Sequence, residues 1–167
     1  MSIFIGVDQS LTCTGYVVKQ NDNIVDFGTI KTTAADGDVF ARTQIIADKL
    51  SEIVNSYNNQ KVALEGLSFG QRGSATRDLA GLQFVIITTI RKTTKINNIT
   101  IAPPTTIKKF ATGSGGSKKK KTTKSDMVDS LPEHVLNAFK TKGYKKSSGL
   151  YDITDAYWIA TYLQQTN

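Results

Sequence analysis

The chain has 167 residues, 39% of them hydrophobic, and a formal net charge of +7. This length suits one domain, residues 1–167, with its own hydrophobic core, and a single cysteine, Cys13, excludes an internal disulfide. No apolar run is long enough to cross a membrane and the N-terminus carries no secretory signal, so we expect a reducing, cytoplasmic setting and no membrane partner.

The positive charge is concentrated late in the chain. Residues 108 to 146 contain eleven lysines and three acids, whereas the preceding residues are close to neutral. Such a segment is typical of a surface that binds a polyanion, although a solvated lysine-rich loop has the same composition.

Three strands are predicted at the start of the chain, over residues 3–8, about 15–20 and about 24–30. Turn residues at Asn21-Asp22-Asn23 and short connections predict an antiparallel meander. The first strand ends in Asp8, which should lie near the middle of a sheet. A buried carboxylate there needs a strong partner such as a metal, an arginine or backbone donors.

The middle of the chain alternates helices with strands. Apolar residues at helical spacing predict an amphipathic helix over about 38–57. A short buried strand over 61–67 follows, and it too runs into a carboxylate, Glu65. A largely apolar helix over about 75–92 and a fifth strand over 99–102 come next.

The segment after the fifth strand combines short helices with a basic stretch. Two prolines end the strand, and residues 105–110 could form a short helix. Glycines and four consecutive lysines then predict a flexible basic loop over about 112–124. Ser125 is expected to cap another helix, and Pro132 to open a further turn or a kink.

The final helix, over about 151–164, carries Asp152 and Asp155 on one face of its first turn. The element order predicts an α/β fold with a five-stranded mixed sheet, three antiparallel strands plus two parallel, flanked by α-helices. In this topology Asp8 and Glu65 end neighbouring parallel strands. The final helix could bring its two acids to the same cleft, or these could be ordinary acids at a helix N-terminus.

Four carboxylates in a small space repel one another unless a hard divalent cation joins them. Oxygen ligands favour Mg²⁺ or Mn²⁺ over Zn²⁺, because Cys13 and His134 are not in metal-ligand spacing. Two ions roughly 3.5 to 4 Å apart would support hydrolysis of a phosphodiester. An acidic metal site in a basic protein therefore indicates a nuclease acting on nucleic acid.

These motifs resemble those of the RuvC family of Holliday-junction resolvases, within the ribonuclease H-like superfamily and especially its compact phage-type members. Gly6-Val7-Asp8-Gln9-Ser10 with Thr14-Gly15-Tyr16 is similar to the first family motif. Ala63-Leu64-Glu65 matches the second, and Asp152-Ile153-Thr154-Asp155-Ala156 matches the closing D-x-x-D-A. The similarity covers residues 3 to about 163.

The resemblance implies a homodimeric endodeoxyribonuclease that nicks two opposing strands of a four-way DNA junction. It implies that the catalytic metal ligands are Asp8, Glu65, Asp152 and Asp155. Together they would bind two Mg²⁺ or Mn²⁺ ions per active site. The expected DNA contacts are Phe69, Arg72, Arg77, Lys108, Lys109, Lys118, Lys119, Lys120 and Lys121.

Several points stay open from the sequence. Phe69 lies four residues after Glu65, where family members often have an aromatic residue three after, so it could wedge between bases or only anchor its loop. The same acids could serve a broader branched-DNA debranching nuclease, an RNase H acting on hybrids, or a catalytically silent junction binder. The helix over 75–92 could be the dimer interface or a core helix.

Nucleotide binding is not expected. The first motif also resembles the phosphate-binding turn of actin-like ATPases, but that fold needs two such domains. Residues 113–118 do not form a P-loop, since the second glycine is missing before the lysine. Instead, the small residues between Gly6 and Gly15 are expected to leave the strand end open to a DNA backbone. If the gene is carried by a phage, the cytoplasm is that of the host.

Overall fold

The computed structural model describes residues 2–67, 73–113 and 122–166. Its strands are β1 (Ile3–Asp8), β2 (Cys13–Gln20), β3 (Asn23–Lys31), β4 (Gln60–Glu65) and β5 (Ile99–Ala102). They form one mixed sheet in the order β3-β2-β1-β4-β5. The first three pair antiparallel, β4 lies parallel to β1, and β5 lies parallel to β4, so the predicted fold class is confirmed.

Helices cover both faces of the sheet. They are α1 (Val39–Asn55), α2 (Ser74–Thr93), α3 (Pro104–Thr112), α4 (Lys124–Asp129), α5 (Glu133–Thr141) and α6 (Leu150–Gln165), with a 3-10 turn at Ala34–Asp36. The helices α1 and α2 share one hydrophobic cluster with the sheet, and α3 to α6 form two clusters with its other face. Within the described residues, no helix is long and apolar enough to span a bilayer.

The side chains of β1 point alternately to the two faces of the sheet. Ile3, Ile5 and Val7 pack into the cluster shared with α1 and α2, while Phe4 packs with α6 on the opposite face. Asp8 follows the same alternation and lies on the α6 side. The central strand is thus buried on both faces and ends in an acid that faces α6.

Two glycines allow α6 to lie directly on the sheet. A Cβ added at Gly6 would lie 2.2 Å from the carbonyl oxygen of Ala156, and one at Gly15 would lie 2.3 Å from that of Asp152. These distances leave no room for a side chain. The expectation that the residues from Gly6 to Gly15 leave the strand end open to DNA is therefore wrong at these two positions, since helix backbone covers both.

The region around α4 also differs from the prediction. Thr123, not Ser125, caps the helix: its hydroxyl accepts from the Asp126 amide, and the Asp126 carboxylate accepts from the Thr123 amide. This capping box starts the helix at Lys124. The predicted loop over 112–124 is shorter at both ends, because Thr112 belongs to α3 and Lys124 to α4; residues 114–121 lie outside the described residues.

After α4, Pro132 opens a complete nine-residue helix, α5, where a turn or kink was expected. Val135 and Phe139, one turn apart on this helix, are buried against Tyr157 of α6 and its neighbours. This burial supplies the stabilisation that the short helix lacks by itself.

Candidate active site

The parallel pairing of β1 and β4 brings two acids together. Val7 is the register partner of Leu64, so the next residues, Asp8 and Glu65, lie side by side at the carboxyl ends of neighbouring strands. A hydrogen bond joins their carboxyl groups. Asp8 is only 8% exposed, which makes it the costly buried acid that the sequence predicts.

Helix α6 brings the other two acids to the same place. Its first turns lie against Gly15, so Asp152 and Asp155 face the ends of β1 and β4. The negative charges of both acids act on Asp8, and that of Glu65 acts on Asp155. The structure therefore brings together all four acids that the sequence singles out.

Burial and mutual repulsion hold protons on this cluster. Burial is the main reason that the pKa of Asp8 lies well above its usual range, and the charges of Glu65, Asp155 and Asp152 raise it further. Burial likewise raises the pKa of Asp155 to about 7, and it also raises the pKa of Glu65. A cation among Asp8, Glu65 and Asp155 would favour their ionised forms.

Lys124 is a site residue that the sequence reasoning missed. Its Nζ lies 3.8 Å from Oδ2 of Asp155 and 5.9 Å from the ring centre of Tyr151. Although burial alone would lower the pKa of Lys124, the four acids raise it. The signal was present in the sequence, since Thr123-x-x-Asp126 is a capping box that predicts a helix beginning at this lysine.

The donor set fits a hard divalent cation. All four side chains are carboxylates, and the raised pKa values of Asp8, Glu65 and Asp155 show that the cluster lacks positive charge. As they stand among the described residues, no three His, Cys, Asp or Glu side chains already form a cation cage. The hydrogen bond between Asp8 and Glu65 and the ion pair of Lys124 occupy the carboxylates instead.

Cys13 lies at the edge of this cluster. Burial, followed by the charge of Asp152 and a hydrogen bond to it, raises the pKa of the Cys13 thiol to about 11. A thiol with such a pKa is protonated at neutral pH and is a poor nucleophile. Cys13 is therefore not a candidate nucleophile of this site.

The predicted DNA contacts divide into three groups. Lys108, on α3, lies close enough for its charge to act on Glu65 and Asp155, and Lys109 beside it is exposed. Arg77 lies at the start of α2, exposed, with Nε 3.8 Å from Asp78. The remaining predicted contacts lie outside the described residues: Phe69, Arg72, Lys118, Lys119, Lys120 and Lys121.

The raised pKa of Asp155 predicts how stability depends on pH. Without metal, the folded protein keeps a proton that the unfolded chain releases above about pH 4, so this stabilisation is present at low pH and is lost as pH rises through 7. We expect the free energy of unfolding to fall by about 2–4 kcal/mol between pH 5 and 8 in EDTA. Urea titrations measure it.

The Asp155→Asn variant is the control for this pH dependence, because asparagine does not titrate. Its free energy of unfolding should fall less between pH 5 and 8. The remaining pH dependence would come from Asp8 and Glu65. Equal slopes for the two proteins would show that the Asp155 proton does not contribute.

Comparisons with known proteins agree with this site. The family model described as crossover junction endodeoxyribonuclease RuvC matches residues 4–142. A RuvC crossover junction endodeoxyribonuclease from Prosthecochloris aestuarii is 28% identical over 163 residues, which cover 95% of this chain and 79% of that protein. Its counterpart from Methylobacillus flagellatus is 38% identical over 69 residues, 36% of this chain and 38% of the relative.

Solved structures show the same fold. A T. thermophilus RuvC in complex with a Holliday junction substrate superposes with a TM-score of 0.73 at 16% identity, covering 98% of this chain and 96% of that one. A second Thermus thermophilus RuvC structure gives a TM-score of 0.71 at 15% identity, with the same coverage. The family predicted from the motifs is thereby confirmed: the chain belongs to the RuvC family of crossover junction endodeoxyribonucleases and is a nuclease.

Proposed function

We propose that this protein resolves four-way DNA junctions by symmetric nicking of two opposing strands. The observation that carries the proposal is the convergence of four carboxylates, from β1, β4 and α6, in a protein that is otherwise strongly basic. Asp8 is buried, and Glu65, Asp152 and Asp155 are partly buried. Membership of the RuvC family supports the same activity. We propose that residues 1–167 act as one nuclease domain in the cytoplasm, the host's if the gene is carried by a phage.

As a RuvC-family nuclease the protein is metal-dependent. We propose that Asp8, Glu65, Asp152 and Asp155 hold Mg²⁺ or Mn²⁺, two ions per site. A metal held there would supply Lewis-acid chemistry, polarising the scissile phosphate and lowering the pKa of the attacking water. A bound cation would favour the ionised forms of Asp8, Glu65 and Asp155, because its charge would supply the positive charge that the cluster lacks.

The lysines beside the acids are suited to hold the phosphate. Lys124 and Lys108 both place positive charge next to Asp155, from α4 and α3 respectively. When a cation takes over the carboxylates, these ammonium groups can donate to phosphate oxygens of the cut strand. They also offset the negative charge that develops during in-line attack.

We propose that the remaining basic side chains hold the junction arms through their phosphates. These contacts are Arg72, Arg77, Lys109 and Lys118 to Lys121, and Phe69 inserts at the crossover. Phosphate contacts carry affinity but little sequence information, so binding should depend steeply on salt.

Replacing Lys118 to Lys121 by alanine should weaken junction binding and reduce its salt dependence. Each lysine that neutralises a phosphate contributes about 0.9 to the slope of log K against log salt, so the loss should be about 2 to 4. Electrophoretic titrations at several salt concentrations measure the slope. Lys92 and Lys95, which line a polar pocket with the first residues of β4, serve as control, because this is the opposite end of the sheet from Glu65.

The double variant Lys92→Ala/Lys95→Ala also loses positive charge but should keep the slope. An unchanged slope in the four-alanine protein would reduce the lysine run to a solvated linker.

We propose a homodimer formed through α2 and the neighbouring end of α1. Two large apolar side chains are exposed here, Phe40 at 83% and Phe84 at 68%. Phe40 lines a mainly apolar groove between the two helices together with Val39, Leu82 and Val85. A face of this kind is suited to a self-complementary contact, and two copies would place two active sites on one junction.

Phe84→Glu combined with Phe40→Glu should convert the dimer into monomers, because two charges would be desolvated in the contact. Sedimentation equilibrium measures the change. Val25→Glu is the matched control, since Val25 is 45% exposed on the edge strand β3 and does not line the groove between α1 and α2. Equal masses for wild type and the double variant would contradict this interface.

The function is tested by offering labelled four-way junction, flap, Y-form, duplex and RNA–DNA hybrid side by side, with Mg²⁺ and with Mn²⁺. We expect paired, symmetric cuts in the four-way junction and much slower cleavage of the others. Equal cleavage of flaps and Y-forms would favour a debranching nuclease, and preference for the hybrid would favour an RNase H. Junction binding without cleavage would indicate a silent binder.

A further inference from the structure

The backbone carbonyl of Glu65 is held by two side-chain amides. Nε2 of Gln9 donates to this oxygen at 2.7 Å, and Nε2 of Gln83 donates to it at 2.8 Å. Both glutamines are almost completely buried, at 5% and 9% exposure. A carbonyl oxygen has two lone pairs, so the two amides satisfy it fully.

The position of this carbonyl explains why it needs side-chain donors. Glu65 is the last residue of β4, and the neighbouring strand β1 ends at Asp8. The parallel ladder between the two strands runs only as far as Val7 and Leu64. Past that point β1 provides no further strand pairing for the Glu65 carbonyl, and a buried carbonyl without a donor is costly.

Packing alone does not explain why two glutamines occupy this space. They lie on the side of the sheet where α1 and α2 form a hydrophobic cluster, and Leu82 and Ile86 flank Gln83 in it. Oε1 of Gln9 is buried and has no hydrogen-bond partner among the described residues. An apolar side chain would avoid that penalty, so the amides are explained by what they hold.

We propose that Gln83, together with Gln9, is a positioning residue for Glu65. By fixing the carbonyl they fix the peptide plane at Glu65, and this directs the carboxylate towards Asp8 on the other face of the strand. Gln83 also ties the middle of α2 to the end of β4. The inference rests on the proposed role of Glu65 as a metal ligand.

The test replaces the amide by a side chain of similar length that cannot donate. Gln83→Met in the full-length protein should weaken Mn²⁺ binding about 5- to 10-fold in titration calorimetry without DNA. The Mg²⁺ concentration for half-maximal junction cleavage should rise by the same factor, while the rate at saturating Mg²⁺ stays within about twofold. Gln9→Met should behave alike, and the double variant should lose more than either single one.

Ile86→Val is the control for packing. Ile86 is buried on the same face of α2, three residues from Gln83, and has no hydrogen bond to Glu65. It should lose stability but keep the wild-type affinity for Mn²⁺. Wild-type Mn²⁺ affinity in both methionine variants, or an equal loss in Ile86→Val, would overturn the positioning role.

Glu65→Gln separates this proposal from the one it rests on. If Glu65→Gln loses Mn²⁺ affinity and the methionine variants do not, only the proposed positioning of Glu65 by Gln9 and Gln83 is wrong. If Glu65→Gln itself binds Mn²⁺ like wild type, Glu65 is not a metal ligand, and the positioning role of the two glutamines fails as well.

Discussion

Asp8→Asn should lower the rate of junction cleavage by about 1,000-fold or more, while junction affinity stays within about threefold. Asparagine has the size of aspartate but cannot supply the negative charge that a divalent cation needs at this central position between Glu65 and α6. Because the change removes a group that acts on the transition state, the loss should appear in the cleavage rate. Single-turnover cleavage and gel-shift titrations in EDTA measure the two quantities.

The same variant provides its own control for folding. Burial raises the pKa of Asp8, so ionisation of this group destabilises the metal-free protein as pH rises. Asp8→Asn should therefore unfold at a higher temperature than wild type at pH 8 in EDTA. An inactive but more stable protein has lost chemistry and not structure. Cleavage at the wild-type rate with Mg²⁺ would show that Asp8 is not a metal ligand.

Gly15→Ala should be strongly damaging although it adds only one methyl group. The new Cβ would lie 2.3 Å from the carbonyl oxygen of Asp152 and 2.4 Å from its carbonyl carbon, so the first turn of α6 has to move away from β2. We expect a loss of about 3 kcal/mol of stability, at the upper end of overpacking costs. Cleavage should fall further than stability explains, because Asp152 moves with the helix. Chemical denaturation and cleavage assays at low temperature measure the two effects.

Gly81→Ala is the matched control for stability. Gly81 lies in the exposed middle of α2, and a Cβ there would meet nothing within 4 Å. Alanine in such a position stabilises a helix by about 0.5–1 kcal/mol. If Gly15→Ala were as stable as Gly81→Ala, α6 would not be seated on β2 as closely as described.

The architecture could be predicted from the sequence because its signals are local. Strand β1 is a continuous apolar run, and α1 has apolar residues at helical spacing behind the capping residue Asp38, whose carboxylate accepts from the Ala41 amide. The connection through α1 returns the chain as a strand parallel to β1, and β4 pairs with β1. These elements supply Asp8 and Glu65, so half of the acid cluster followed from topology.

What the sequence did not predict depends on contacts between distant residues. Lys124 belongs to the acid cluster only because α4 packs beside α6 and directs its first residue towards Asp155. Gln83 is a polar residue on an apolar helix face. Its presence there is explained only by the folded structure, in which it donates to the Glu65 carbonyl. Gly6 and Gly15 were noticed as small residues, but the helix that covers them is more than 130 residues away in sequence.

The seating of α6 on Gly6 and Gly15 has a consequence for biosynthesis. Of the described elements α6 is the last to leave the ribosome, and it carries two of the four acids. Until α6 docks, Gly6 and Gly15 on the central strands are uncovered, and the cluster of four acids lacks Asp152 and Asp155. With the four acids as the proposed catalytic set, we expect the nascent chain to be inactive until α6 docks on the sheet.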